Sequence, residues 1–270
     1  MKKSVLKISL REIARTWSRF LAIVVIVALG AAFYTGLKAV GPDMSHTATL
    51  YFNATNMMDY KLVSNLGFTD EDAAAVAALP FIRQVDGAYS LDALMRYGET
   101  SRVVHVMSMV EGPDGINGLS VVRGRLPEAS DECAVDNAKQ NRDLDIGSTI
   151  LLDSGAEGDL GEKLSTTRYT VVGVVNAPNY LNRERGTSSI GNGKVTGLVY
   201  VSKANFTLDA YTELYATIEG SRGVSAFGEA YDDLAKSQDA AMDALAEARE
   251  ALRHQQVLDE ANATLSEKQS

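Results

Sequence analysis

The sequence predicts an α+β protein on one N-terminal transmembrane helix, with a mixed α/β core domain outside the cell and a long C-terminal helix of coiled-coil type. Three observations predict it. An uncharged apolar run fills residues 20–37, and short β-branched segments of alternating polarity recur between residues 59 and 219. The chain then closes on a proline-free stretch in heptad order, with no glycine after Gly228.

The first element is a basic amphipathic segment, residues 1–19. Leu6, Leu10, Ile13 and Trp17 recur at helical spacing, with Lys7, Arg11 and Arg15 on other faces. Such a helix suits the inner leaflet or a cytoplasmic partner. Six basic residues, ending in Arg19, stand against Glu12 alone, a balance of +5 that leaves −14 on the rest of a chain whose net charge is −9. An acidic body with a basic tip excludes nucleic acid as its partner and fits a lipid membrane.

The second element is the span, residues 20–37. Eighteen helical residues cover roughly 27 Å, close to the hydrocarbon thickness. The run is longer than the apolar region of a cleaved leader, and the segment before it is an extended nineteen residues with its own helical pattern. Six Lys/Arg precede the span and only Lys38 follows closely, which places the N-terminus in the cytoplasm and the main domain outside, at the plasma membrane. Ala28, Ala32 and Gly36 form a small-residue stripe that suits close approach of further transmembrane helices.

Residues 38–222 form the core domain, in which strands and short helices are expected to begin after Pro42. Asp59–Ser64 alternates as a strand. Thr69 caps a helix whose first turn carries Asp70, Glu71 and Asp72, and Pro80 stops it. Segments 81–97 and 102–110 read as a strand pair joined near Gly98, followed by a strand at 119–123 and a short helix at 136–143. Further strands are expected at 148–153, 168–176, 195–201 and 211–219. The glycine-rich loop 180–197 is either a functional or mobile loop or a solvated hairpin tip.

Residues 223–270 read as the start of a coiled-coil helix. Phe227, Tyr231, Leu234, Gln238, Ala241, Leu245, Ala248 and Leu252 alternate spacings of four and three, a heptad seam. The chain is read as stopping at Ser270 before a returning strand of the coil. Without that partner the helix is expected to fray, self-associate or lie on the domain.

No motif carries catalysis. His46, His105 and His254 lack ligand spacing, and Cys133 is alone. The Gly191–Lys194 stretch misses the first glycine and the final hydroxyl of a phosphate loop, and 153–164 lacks the calcium ligands at its third and twelfth positions. Neither an enzyme nor a cofactor or metal site is expected.

The order of Leu10–Met44, Asp59–Asp72 (DYKLVSNLGFTDED), Gly124–Glu132 (GRLPEASDE) and Tyr169–Val175 (YTVVGVV) resembles the N-terminal part of FtsX/MacB-type ABC transporter permeases. Residues 182–201 look like the subgroup with a coiled-coil insertion. The resemblance implies four spans in a complete permease, of which this chain holds the first, and a separate cytoplasmic ABC ATPase as partner. It also implies that ATP-driven motion is relayed to the outer domain for export or partner activation. A periplasmic adaptor protein and a signal-anchored sensor or binding ectodomain are the alternatives. Adaptors, however, split their β domain around the hairpin, whereas here the α+β domain precedes the coil.

Overall fold

The computed structural model describes residues 16–110, 112, 114–155, 158–182 and 184–269; Arg11 and Arg15 of the basic segment lie outside them. The chain divides into two compact units, residues 1–49 and 50–270.

The first unit is built from helix α1, Trp17–Ala54, whose last turn from Leu50 is counted with the second. The helix continues past Leu37 and carries Pro42 inside it. Strands were expected after Pro42, because proline removes an amide donor and crowds the preceding turn. Instead Thr47 and Thr49 return their hydroxyls to the carbonyls of Asp43 and Ser45, both at 2.8 Å, and the helix persists. Ile23, Ile26, Leu29, Phe33 and Leu37 are all exposed. Among the described residues α1 is the one helix long and apolar enough to cross a membrane.

The second unit contains two sheets. The smaller has the order β1-β10-β2, from β1 (Tyr60–Phe68), β2 (Ile82–Ala88) and β10 (Tyr211–Ile218), antiparallel throughout. Helix α2, Asp70–Ala77, starts on the expected cap: Thr69 accepts from the Asp72 amide and Asp72 returns a bond to the Thr69 amide. Val76 of α2 packs with Leu214 and Ala216 of β10.

The larger sheet is a closed barrel with one strand added. Its strands are β3 (Ser90–Tyr97), β4 (Thr100–Ser108), β5 (Ser120–Gly124), β6 (Glu132–Asp136), β7 (Thr149–Asp153), β8 (Arg168–Asn176) and β9 (Gly197–Val201). The order is β5-β8-β6-β9-β4-β3-β7, and β7 also pairs with β8, which closes six strands into a ring. Each ring strand sends two residues inward, two positions apart: Ala93 and Met95, Val104 and Val106, Cys133 and Val135, Ile150 and Leu152, Tyr169 and Val171, Val199 and Val201. That spacing is the period of a strand, and the closure removes the free edges that β sheets otherwise leave open. Burial among these apolar walls pushes the Cys133 thiol well above its ordinary pKa and leaves it an inert core residue.

Two further expectations are corrected. Residues 81–97 are not one strand: the chain passes from the small sheet to the barrel at Tyr89, between β2 and β3. The helix expected at 136–143 is instead the end of strand β6 and a single 3-10 turn, Lys139–Asn141. Cys-Ala-Val is fully buried on both faces, so β6 shows no polar alternation to reveal it. Part of loop 180–197 packs inward. Thr187 pairs with Lys194, and Ile190 and Val195 are buried against Val103 and Leu94.

The C-terminal helix α3, Glu229–Gln269, lies along the small sheet. Met242 is buried against the cluster containing Leu214 and Val76, with Leu245 packed beside it. Arg249 Nε reaches Asp72 Oδ1 at 2.6 Å, and the Tyr60 hydroxyl donates to Asp239 Oδ1 at 2.9 Å.

Candidate functional site

Three parts of the second unit meet at the end of α1: the last helical turn, the close of β10, and the start of α3. The meeting begins with the helix stop. The Thr55 hydroxyl and amide both bond the Tyr51 carbonyl, at 2.8 and 3.0 Å, and Asn56 then turns left-handed with φ 46°. Asparagine tolerates that region better than other side chains, which is why the helix ends there.

Asn56 also binds outward. Its Nδ2 donates to the Asp114 carbonyl at 2.8 Å, and its Oδ1 accepts from Arg83 and, at 3.3 Å, from Arg222 Nη2. Asn117, itself at φ 60°, holds the other side: its Oδ1 accepts the Met58 amide at 3.0 Å, and its own amide donates to the Asn56 carbonyl. Segment 55–58 is therefore clamped by the loop that follows β4.

Asp59 is the centre. Its side chain is 3% exposed. Oδ2 accepts the Ile218 amide and the Ser221 hydroxyl, each at 2.9 Å, and Oδ1 accepts the Tyr231 hydroxyl at 2.9 Å. Arg222 Nη2 stands 4.0 Å from Oδ2 and donates to the Met57 carbonyl, while the Arg222 carbonyl accepts from Asn53 Nδ2 at 3.3 Å. Phe52 and Phe227 complete the contact, with ring centroids 5.9 Å apart.

The electrostatics follow from burial. Loss of water lowers the Arg222 pKa from its ordinary value, with Asp59 opposing that shift. Burial, then the adjoining Asp59 carboxylate, raises the Tyr231 phenol, so its proton stays available for the bond to Asp59. The chemistry on offer is mechanical fastening. Among the described residues no group of three or more His, Cys, Asp or Glu side chains is placed to hold a metal ion.

The residues singled out by the sequence distribute as follows. Trp17, Ala28, Ala32 and Gly36 are exposed on α1, as is Arg19. A Cβ added at Gly36 would meet nothing within 4 Å. Of the seam, Tyr231 and Leu234 are half-buried, Leu245 packs on the small sheet, and Phe227 and Leu252 are 61% and 53% exposed. The face that α3 turns to the domain passes through Met242 and Arg249, one position beyond the exposed seam residues Ala241 and Ala248. His105 is paired across the strands with Asp92, and the Ser188 hydroxyl shares that carboxylate. Sequence reasoning did not find Asp59, Asn56 or Arg222. The available signal was an asparagine closing a helix three residues before an aspartate that opens a strand.

The family model of the MacB-like periplasmic core domain matches residues 20–251. Among curated proteins none matches. Solved structures similar to the chain include the extracellular domain of the ABC-type transporter YknZ from Gram-positive bacteria. It is 14% identical with a TM-score of 0.38, over 66% of this chain and 87% of that one. The periplasmic region of MacB from Actinobacillus actinomycetemcomitans is 12% identical with a TM-score of 0.38, over 72% and 76%. A permease domain from Porphyromonas gingivalis is 14% identical with a TM-score of 0.34, over 68% and 70%.

Proposed function

The chain belongs to the MacB-like periplasmic core domain family, and from that premise we propose that it is the permease part of an ABC transporter whose outer domain relays motion. Family membership and an exposed apolar helix make it a membrane protein with an extracytoplasmic domain. In this reading residues 1–19 are cytoplasmic, 20–37 cross the bilayer, 38–222 form the outer core, and 223–270 begin a coiled-coil arm. Arg11, Arg15, Trp17 and Arg19 lie at the inner face, where a separate ABC ATPase docks. The Ala28/Ala32/Gly36 stripe packs on other spans of the complete permease. ATP-driven movement reaches the outer domain and serves export or activation of a partner.

The observation that carries the reading is the Asp59 joint. One carboxylate fastens the exit of α1, the end of β10 and the first turn of α3, so displacement of the first is transmitted to the third. A relay needs such stiffness.

Affinity purification from the chain's own host membranes tests the partner, and a reporter fused after Met44 tests the topology. The expected results are co-purification of an ABC ATPase that is lost when residues 1–19 are deleted, and activity of an extracytoplasmic reporter only. Recovery of an outer-membrane channel with no ATPase favours the adaptor alternative and overturns the proposal, as does cytoplasmic reporter activity.

A further inference from the structure

Strands β6 and β8 run parallel, and a cleft of about 520 Å³ opens at their carboxyl ends, where Asp136 closes one and Asn176 the other. That volume falls within the roughly 300–1,000 Å³ typical of small-molecule sites. Tyr180, Leu181, Asn182 and Arg185 on one side and Lys139 and Gln140 of the 3-10 turn on the other wall it in. Nothing in the joint around Asp59 uses it.

The cleft is built around a buried ion pair. Asp136, 2% exposed, accepts Asn141 Nδ2 at 2.6 Å, the Leu198 amide at 3.0 Å and Arg185 Nε at 2.8 Å. These bonds fix the Arg185 guanidinium in the wall, where Nη1 also donates to the Asn182 carbonyl. Asp136 thereby neutralises one cation. Lys139 and Arg142 also line the cleft, and neither side chain has an anionic partner among the described residues. Among the described residues, a protein of net charge −9 has gathered three cations against one anion here.

The remaining wall is apolar and aromatic. Tyr180 packs with Val175, Ala177 and Leu198, and Leu181 beside it is 62% exposed. Tyr200 belongs to the same cluster without lining the cleft; it is 4% exposed, and its hydroxyl has no hydrogen-bond partner among the described residues. A buried phenol without an acceptor is costly, and most such groups find one.

We propose that this cleft binds an amphiphilic anion, a carboxylate or phosphate head on an apolar tail. Lys139 and Arg142 hold the head beside the fixed Arg185, and the tail lies against Tyr180 and Leu181. The site is a property of the outer domain alone, and it stands or fails independently of any ATPase partner.

The test is calorimetric titration of the full chain in lipid nanodiscs, with empty nanodiscs as blank. The probes are octanoate, octyl phosphate, octylamine and inorganic phosphate. Saturable one-to-one binding of octanoate or octyl phosphate is expected, with none for octylamine and at least tenfold weaker binding of inorganic phosphate. Binding of octanoate alone assigns a carboxylate head, and octyl phosphate alone a phosphate head. The exposed pair K139Q/R142Q should weaken binding at least tenfold, while R168Q, at the opposite end of β8, leaves it unchanged. Leu181→Asp weakens it without touching the cations. Binding of octylamine as tight as that of the anions, or no saturable binding at all, overturns the proposal. So does an affinity unchanged in K139Q/R142Q.

Discussion

The Tyr231 hydroxyl donates to Asp59 Oδ1 across 2.9 Å, so the first turn of α3 and the residue leading into β1 share one carboxylate. They are far apart in sequence, and the bond between them ties the C-terminal helix to the point where the chain enters the sheet.

Removing that carboxylate strands two donors at once. Asp59→Ala leaves the Ile218 amide and the Tyr231 hydroxyl without their acceptor, while the Ser221 hydroxyl keeps the Ile218 carbonyl, and should cost about 2–3 kcal/mol. Tyr231→Phe removes one bond and should cost about 1 kcal/mol. Urea unfolding of both variants measures the difference. Equal costs would mean that the bond to Tyr231 is the whole contribution of Asp59.

Helix α3 lies on the sheet by one face, and its residues differ accordingly. Met242→Ala, at a buried position, should weaken docking by about 2 kcal/mol or more, whereas Leu252→Ala, at an exposed one, should change it by less than about 0.5 kcal/mol. Hydrogen exchange of residues 229–257 reads both. Protection lost equally in the two variants would contradict the observed face.

The Asp72–Arg249 pair makes this docking sensitive to acid. Burial alone raises the Asp72 carboxyl, but hydrogen bonds from Thr69 and the Arg249 guanidinium outweigh it and hold the group below its ordinary value. A depressed folded pKa contributes stability above the unfolded value of about 3.9, and that contribution is lost as pH falls through the folded value. Protease cleavage within α3 should therefore rise below about pH 4. Asp72→Asn should cleave faster already at pH 7 and show less acid dependence.

Two glycines hold β5 against β8. Gly124 and Gly173 are paired, and a Cβ built on Gly173 would stand 2.1 Å from the Arg125 carbonyl oxygen. No rotamer relieves a backbone clash, so Gly173→Ala should cost more than about 2 kcal/mol. Gly98→Ala, where a Cβ meets nothing within 4 Å, carries only the strain of its positive φ. Thermal unfolding of the two variants should separate them clearly.

Much of this architecture was legible because it depends on local pattern. Strand β8 begins and ends where its alternation does, at Arg168 and Asn176, and the Thr69 cap needs only residues 69–72. Strand β6 was hidden because partners on both sides bury it, which erases the polar half of the pattern. The persistence of α1 beyond Pro42 was hidden because proline usually ends or kinks a helix, and here the helix runs through it. The Asp59 joint joins positions 53–59, 83, 114–117 and 218–231, and only the folded chain brings these together.

Strands β1 and β10 are antiparallel neighbours, with Tyr60 opposite Ala216. The chain enters one and leaves the other at the same end of the pair. Tension between entry and exit therefore loads the rungs singly, opening the pair like a zipper, where a sheared pair would share the load among all its rungs. The Asp59 carboxylate sits at the first tooth of that zipper, bound to Ile218 and Ser221 on the opposite side. The force at which this small sheet begins to part is thus governed by one side chain, whatever the length of the strands behind it.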